Sequence, residues 1–282
     1  MSPKETPAES HVEVIAPAQG LRLVNPVELW RWRELFMALM ARDIAVRYKQ
    51  TALGIAWIVI QPLATVVVFT FLLGKLANLP TDGLPYPLFA FAAMVPWQIF
   101  SRGLTDGSMS IISNQPLVAK VYFPRILVPA AAVVASAVDF AVTFAILLAM
   151  MLWFGFLPTW HIVLAPILLL LPLLASLGIA LWLSALNVLY RDVRFLAPFL
   201  AQLWLYLTPV LYPSSVIPEP WRLLYAMNPM VTVTESFRWA VLGGATVPDP
   251  LMLGVSTTTI GALLLSGVVY FRYVEPQMAD RI

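Results

Sequence analysis

The chain has 282 residues, of which 60% are hydrophobic and only 11% are charged, and its mean hydropathy is +0.83. A typical soluble domain has about 25% charged residues, and one of this size could not hide so much apolar surface from water. The composition therefore predicts a protein that crosses a membrane several times, and it excludes soluble enzymes and disordered scaffolds. The net charge of +2 adds little, while the absence of cysteine excludes a disulfide framework, a thiolate metal site and a thiol nucleophile. The two histidines are far apart in sequence, so we expect no metal site.

The start of the chain predicts a tail followed by a surface helix. Residues 1–24 are polar, contain proline and lack an apolar core, so we expect a disordered cytoplasmic tail. Residues 25–49 have an apolar side with tryptophan and a polar side with arginine, which favours an amphipathic helix lying in the cytoplasmic interface. The alternative is a short cytoplasmic helix that packs on the membrane-spanning bundle.

Residues 50–282 predict an all-α membrane domain with six transmembrane helices. Intervals that carry little or no charge are each long enough to cross about 30 Å of hydrocarbon. The predicted spans cover about residues 55–77, 85–104, 126–154, 162–189, 195–213 and 251–271. With the N-terminus inside, 14 of the 17 basic residues lie on the cytoplasmic side. We therefore expect both termini in the cytoplasm.

The connection between the second and third spans, residues 105–124, is long for a loop. At about 112–123 it contains a helix-like stretch with apolar residues, which Ser or Asn can cap and which has Pro in its first turn. A helix of this kind can dock in a groove of another protein. An ordinary loop that Tyr122 and Phe123 pin to the membrane explains the residues equally well.

The segment at about 217–243 is too apolar to lie in water and too interrupted to span a membrane. It predicts two short re-entrant helices on the outer side, at about 219–227 and 231–242, with a break between them. Broken backbone at membrane depth requires protein cover or a water-filled path, so the segment is a candidate lid or pore element. A glutamate and an arginine three residues apart can pair there, most simply in a structural role. The candidate residues of this segment are Trp221, Asn228, Pro229, Glu235 and Arg238.

One acidic residue, Asp139, lies near the middle of the third predicted span. An ionisable group in such a position is by default a functional hypothesis. Since no span carries a lysine or an arginine at that depth, we expect Asp139 to hydrogen-bond within the bundle. Ser136 and Thr143 are its helical neighbours, and a proton relay is disfavoured.

Aromatic residues of the second and fifth spans form another candidate group. Aromatic faces stack on sugar rings, and the polar tips of Trp and Tyr donate hydrogen bonds, so these side chains can line a substrate channel. Packing against lipid is at least as good an explanation for any single one. The channel candidates are Phe91, Trp97, Phe100, Trp204, Tyr206 and Tyr212.

Several motifs are missing from the sequence. It contains no phosphate-binding Gly-x-x-x-x-Gly-Lys-Ser/Thr run, no Gly-x-Ser-x-Gly run and no His-Glu-x-x-His run. We therefore expect no catalytic residue, and any energy for transport would come from a partner.

Six spaced motifs occur along the chain. They are RYKQTALGIAW at 47–57 with QPL at 61–63, PWQIF at 96–100, NQPLVAKVYFPR at 114–125, LNVLYRDVR at 186–194, TPVLY at 208–212 and NPM at 228–230. In this order they resemble the motifs of membrane permeases of type-two ABC exporters for bacterial polysaccharide. These exporters move O-antigen, capsular polysaccharide or teichoic acid. The resemblance covers nearly the whole chain from residue 25 onwards.

The resemblance implies partners and sites. It implies a homodimer with two copies of a cytoplasmic ATP-binding subunit, which would hold ATP and Mg, so that no cofactor binds this chain. It also implies a lipid-linked glycan substrate, contact with membrane lipids, no nucleic acid, and the bacterial inner membrane as location. The 112–123 stretch would be a coupling helix that docks on the ATPase through Asn114, Gln115, Pro116, Leu117, Lys120 and Val121. A lateral entrance for the substrate would involve Trp30, Trp32, Arg42, Arg47, Tyr48 and Lys49.

Other functions remain as alternatives. An ABC exporter of the same fold for a drug, haem or a lipid would share most of these features. An ion-driven secondary transporter is disfavoured because the spans hold almost no charge. A membrane acyl- or glycosyltransferase would need convergent acids or histidines, and Asp139 alone does not meet that requirement.

Overall fold

The structure is a computed structural model that describes residues 26–49, 56–76, 81, 83–243 and 247–281. These residues are largely helical and contain no strand. The α-helices are α1 Pro26–Arg31, α2 Arg33–Lys49, α3 Ala56–Phe69, α4 Tyr86–Ser113, α5 Gln115–Lys120, α6 Leu127–Ser136, α7 Asp139–Trp153, α8 Ala165–Leu189, α9 Val193–Tyr206, α10 Arg222–Ala226, α11 Pro229–Leu242 and α12 Pro250–Arg281. A π-helical turn extends α3, and short 3₁₀ turns precede α8 and α10. The predicted tail, residues 1–24, lies outside the described residues.

Within the described ranges, four helical segments are long and apolar enough to cross a membrane. They are Val59–Leu76, Leu127–Trp153, Trp160–Leu189 and Pro250–Met278. These segments coincide with the first, third, fourth and sixth predicted spans, and they confirm an all-α protein with several apolar membrane helices. The second predicted span is α4, which is long but carries Arg102 and Asp106. The fifth is α9, whose 14 residues rise about 21 Å. The count of six spans therefore stays a prediction.

Helix α4 is the centre of the bundle and contacts α6, α7, α8, α9 and α11. Its side chains Phe89, Phe91 and Phe100 have no exposed surface. Close approach of its neighbours depends on small residues: a Cβ at Gly107 would lie 2.7 Å from the Cβ of Ala180. This packing places α4, with its polar and charged residues, in the interior of the bundle.

The prediction that residues 105–113 belong to a connecting loop is wrong. Helix α4 continues without interruption to Ser113, so the connection proper begins at Asn114. The predicted span ended at about residue 104 because charged residues begin at Arg102 and Asp106. In the structure Gly107, Ser108 and Ser110 are buried against neighbouring helices, and the Ser110 hydroxyl donates to the carbonyl of Gly107. Small polar side chains permit close helix contact while their hydroxyls bond back to their own helix.

Helices α8 and α12 pack closely through two glycines. A Cβ built on Gly178 would lie 2.7 Å from the backbone nitrogen of Leu264, and one on Gly267 would meet the carbonyl oxygen of Gly178. Because the neighbouring atoms belong to the backbone, they cannot move without separating the two helices.

We expect Gly267→Ala to lower the free energy of unfolding by about 1–3 kcal/mol, since the added methyl overpacks this helix pair. Gly261→Ala on the same helix is the matched control, because a Cβ there meets no atom of the described residues within 4 Å. Unfolding of both variants in mixed detergent micelles measures the difference. Equal stability of the two variants would contradict the close helix contact.

Candidate functional site

A buried carboxylate joins three separate parts of the chain. Asp139 is the first residue of α7, just after the short break that separates it from α6, and its side chain is 3% exposed. Arg102 of α4 donates to this carboxylate, and so does Arg47 near the end of α2, at 3.1 Å. The hydroxyl of Tyr48 donates to the second carboxylate oxygen. Arg47 also binds Asp106 of α4 at 2.6 Å.

The expectation that no basic residue reaches Asp139 is wrong. Arg47 is 92 positions away in sequence, and Arg102 is 37 positions away. Arg47 meets Asp139 because α2 packs along α6, which brings the last turn of α2 to the start of α7. Arg102 meets it because α4 packs against both α6 and α7. The bundle thus holds this carboxylate in ion pairs with other helices, whereas the hydroxyls of its helical neighbours Ser136 and Thr143 donate to backbone carbonyls.

Burial and neighbouring charges act in opposite directions on this cluster. Burial lowers the pKa of Arg47, but the carboxylates of Asp106 and Asp139 more than offset it, so the pKa is raised. Burial, and then the hydrogen bond to Asp139, raise the pKa of the Tyr48 phenol. Tyr48 therefore stays a protonated donor at neutral pH. Two guanidinium groups, on Arg47 and Arg102, face two carboxylates, so the formal charges of the cluster cancel.

Two cavities flank the cluster, and Arg47 and Asp106 line both of them. The first has a volume of about 500 Å³ and lies among α3, α4 and α9. The second has a volume of about 470 Å³ and lies among α2, α4 and α6. The first cavity is lined largely by amide, hydroxyl and charged side chains, and Trp97 forms part of its wall.

The N-terminal arm is two helices that meet at Trp32. Leu39 of α2 is buried against the bundle, so this face of the helix packs on protein. This agrees with the alternative prediction of a helix that packs on the membrane-spanning bundle. Trp32 lies 6.5 Å from the ring of Phe123, while Trp30 is 71% exposed. A location at the membrane interface stays a prediction for the exposed face. The other entrance candidates are Arg42, which pairs with Asp43 at 2.6 Å, and Lys49, which is exposed.

The proposed coupling helix is the six-residue helix α5, shorter than the predicted stretch 112–123 because Ile112 and Ser113 belong to α4. Its N-terminal flank, Asn114, makes no side-chain cap and donates instead to the carbonyl of Ser110. Val118 is 1% exposed and holds the helix on the bundle. Leu117 is half-buried, and the candidate residues that are exposed are Gln115, Pro116, Lys120 and Val121.

In the outer segment α10 and α11 are separated by Met227 and Asn228, close to the predicted positions. The Asn228 side chain caps α11 by accepting from the Met230 amide at 3.0 Å. It also accepts from the Trp204 indole at 2.9 Å and donates to the Leu207 carbonyl at 3.0 Å. The break is thereby tied to the end of α9.

Arg238 of α11 lies buried at the junction of three elements. Its guanidinium donates to the carbonyls of Phe89 and Pro209, at 3.2 and 2.8 Å, and lies 3.6 Å from the centre of the Phe89 ring. The carboxylate of Glu235 accepts from the backbone of Ser214 at 3.2 Å. The remaining outer candidate, Trp221, is exposed.

The six aromatic channel candidates occupy different environments. Phe91 and Phe100 have no exposed surface, so their rings are covered by the chain itself. Trp97 lines the larger cavity, and Trp204 packs edge-on against Phe100 at 5.3 Å. Tyr206 and Tyr212 are joined by a hydrogen bond from the Tyr212 hydroxyl to the Tyr206 carbonyl at 3.0 Å. Their role in a channel stays a prediction.

In the part of the chain that the structure describes, no group of three or more His, Asp or Glu side chains is arranged to hold a metal ion. His161 lies between Trp160 and Trp239, with centroid distances of 4.2 and 4.3 Å and the rings tilted to one another.

Comparison with known proteins decides the family. A family model described as ABC-2 type transporter matches residues 34–242. The chain belongs to the ABC-2 transporter family. It is a transport component and not an enzyme, and its family implies an ATP-binding partner subunit.

Relatives of this ABC-2 transporter chain match it over most of their length. It is 34% identical over 270 residues to the O-antigen export system permease protein RfbA of Myxococcus xanthus, covering 93% of this chain and 100% of the relative. The protein of that name from Klebsiella pneumoniae is 27% identical over 86% of this chain and 94% of its own length. The polysialic acid transport protein KpsM of Escherichia coli is 22% identical over 86% of this chain and 93% of its own length.

Sequence reasoning did not single out three glutamines of this ABC-2 transporter chain. Gln61, Gln98 and Gln202 lie on three apolar helices and line the larger cavity. The sequence did contain a signal for them, because a side-chain amide in a segment of membrane-spanning length needs a hydrogen-bonding partner. Their convergence was not visible, since it depends on how α3, α4 and α9 pack.

Proposed function

We propose that this chain is the membrane permease of an ATP-driven exporter of lipid-linked polysaccharide, such as an O-antigen or capsule. The observation that carries the proposal is the 34% identity to an O-antigen export permease over the relative's whole length. A polysaccharide transport protein of a second kind matches over a similar range, which supports glycan rather than a drug, haem or a free lipid.

The proposed assembly is a homodimer with two ATP-binding subunits in the bacterial inner membrane. Each copy would cross the membrane six times, with α4 and α9 supplying the second and fifth spans and both termini in the cytoplasm. The short α9 would reach the outer surface through residues 207–213. ATP and Mg would bind the partner subunits, and this chain would bind neither.

Three regions would carry the transport cycle. Helix α5 would seat in a groove of the ATP-binding subunit, and its motion would pass into α4, which precedes it directly. The arm of α1 and α2, fixed by the Asp139 cluster, would border a lateral entrance for the glycan lipid. Helices α10 and α11 would narrow the outer exit, beside the aromatic side chains of α9.

The docking role of α5 predicts the effect of one surface charge. Val121→Asp should abolish co-purification of the ATP-binding subunit while leaving membrane insertion intact, because Val121 is 45% exposed and a carboxylate would enter an apolar groove. Val121 directly follows α5, and Tyr273→Asp is the control, because it makes an apolar-to-acid change at an exposed residue far from α5 in sequence. Normal recovery of the partner with Val121→Asp would count against docking through this helix.

The function itself is tested by deleting the gene in its native host and measuring glycan inside and outside the cell. We expect surface glycan to disappear and lipid-linked glycan to accumulate in the cytoplasm, with both reversed by the wild-type gene. Unchanged surface glycan in the deletion strain would refute polysaccharide export by this chain. The native mass of the purified complex tests the proposed assembly of two permeases with two ATP-binding subunits.

A further inference from the structure

The larger cavity contains an unusual convergence of side-chain amides. Gln61 comes from α3, Gln98 from α4 and Gln202 from α9, so three different helices each contribute one amide. The Oε1 atom of Gln98 is buried and has no hydrogen-bond partner among the residues that the structure describes. An amide oxygen left in this state is costly unless a ligand or water satisfies it.

The wall of α4 continues this polar surface along one helix face. Ser101 and Thr105 follow Gln98 at helical spacing and line the same cavity, as does Trp97. The hydroxyl of Thr105 donates to the carbonyl of Ser101, so it still has lone pairs that can accept a hydrogen bond. The site thus offers amide donors, amide acceptors and hydroxyls beside an aromatic ring.

The charges at the edge of the cavity do not make it an anion site. Arg47 and Arg102 are its basic residues, and both already bind Asp139, while Arg47 also binds Asp106. Because two carboxylates balance two guanidinium groups, an added phosphate would compete with ion pairs that are already formed. A neutral hydroxyl group would bind to the amides and would not have to displace any of these ion pairs.

We propose that this cavity is a sugar-binding subsite, in which Gln61, Gln98 and Gln202 hydrogen-bond the hydroxyls of one glycan residue beside the edge of Trp97 in the wall. The proposal rests on the proposed function, since it assigns a place where the exported glycan is held. A volume of about 500 Å³ lies in the range of small-molecule pockets, about 300–1,000 Å³. Amides that both donate and accept suit hydroxyls, which do the same.

The first test replaces the three amides by leucine, singly and together, in the full complex in its native host. Each single variant should reduce the initial rate of glycan appearance at the surface several-fold, and the triple variant about tenfold or more. Gln277→Leu on α12 is the matched control, because it makes the same change outside the cavity. Normal rates in the triple variant, with normal protein levels, would overturn the subsite.

The second test uses the absence of cysteine from the natural chain. Gln98→Cys and Gln202→Cys each introduce a single thiol, which a membrane-impermeant methanethiosulfonate reagent can label in inside-out vesicles. We expect labelling in vesicles from cells without the glycan, and at least several-fold slower labelling when the vesicles carry the accumulated glycan lipid. Gln277→Cys should be labelled at the same rate in both preparations.

The outcomes separate the subsite from the function that underlies it. If the wild-type gene restores surface glycan but the glycan lipid does not slow labelling at 98 and 202, the subsite is wrong and the function stands. Absence of labelling in both vesicle preparations would also overturn the subsite, since the cavity would then be closed to water. If the deletion strain shows no loss of surface glycan, the proposed function fails, and the subsite fails with it.

Discussion

Asp139→Ala is expected to lower the free energy of unfolding by about 3–5 kcal/mol, the range for breaking a buried ion pair by removing one partner. The change removes the acceptor of Arg102 and Tyr48 and one of the two acceptors of Arg47. It also places two guanidinium groups near each other with only Asp106 to balance them. Unfolding in mixed micelles measures the loss of stability.

The same variant should release the end of α2 from the bundle. In inside-out vesicles we expect faster tryptic cleavage after Arg47, which Asp139 holds in the wild-type chain. Asp192→Ala is the control for loss of an acid, because Asp192 is exposed at the start of α9. If Asp139→Ala matches Asp192→Ala in both stability and cleavage, the carboxylate does not fasten α2 to α4 and α7.

Arg238→Met is expected to lower the free energy of unfolding by about 3 kcal/mol. The change removes charged hydrogen bonds to the carbonyls of Phe89 and Pro209 and the contact of the guanidinium with the Phe89 ring. Since these contacts join α11 to the start of α4 and to the turn after α9, the outer helices should loosen first. Thermal unfolding in detergent, followed by tryptophan fluorescence, measures both effects.

Two further variants separate geometry from charge at this position. Arg238→Lys keeps the charge but lacks the planar guanidinium with its several N–H donors. Its stability should therefore lie between those of Arg238→Met and the wild-type chain. Arg222→Met, on the exposed α10, should cost less than about 1 kcal/mol, because its pairing with Glu219 at 4.0 Å is a surface contact. A stability of Arg238→Met equal to that of Arg222→Met would mean that the buried guanidinium does not hold the outer helices.

Features that depend on neighbouring residues were predictable from the sequence. Apolar length predicted four of the membrane helices, and the Asn228–Pro229 pair predicted the break between α10 and α11. Asn228 caps the second helix, and Pro229 begins it, which is the arrangement that this dipeptide favours. In each of these cases a few adjacent residues contain the physical cause.

Features that depend on packing between distant elements were not predictable. The partners of Asp139 come from two other helices. The end of α4 was mistaken for a loop because the predicted span ended where the charged residues Arg102 and Asp106 begin. The aromatic candidates show the same limit. Phe100 and Tyr206 belong to the same predicted group, yet Phe100 is fully buried and Tyr206 is 52% exposed. Only the packing of α4 and α9 distinguishes them.

Reconstitution gives the most direct measurement of glycan export. A strain without this gene should accumulate its own glycan lipid, which can be extracted and placed in the outer leaflet of liposomes with the purified complex of this chain and its ATP-binding subunit. In vesicles whose ATP-binding subunits face outward, added ATP should move the glycan into the lumen, where it is protected from external periodate. Protection should be absent without ATP. No ATP-dependent protection from an intact complex that hydrolyses ATP would contradict the proposal that this chain forms the path for polysaccharide.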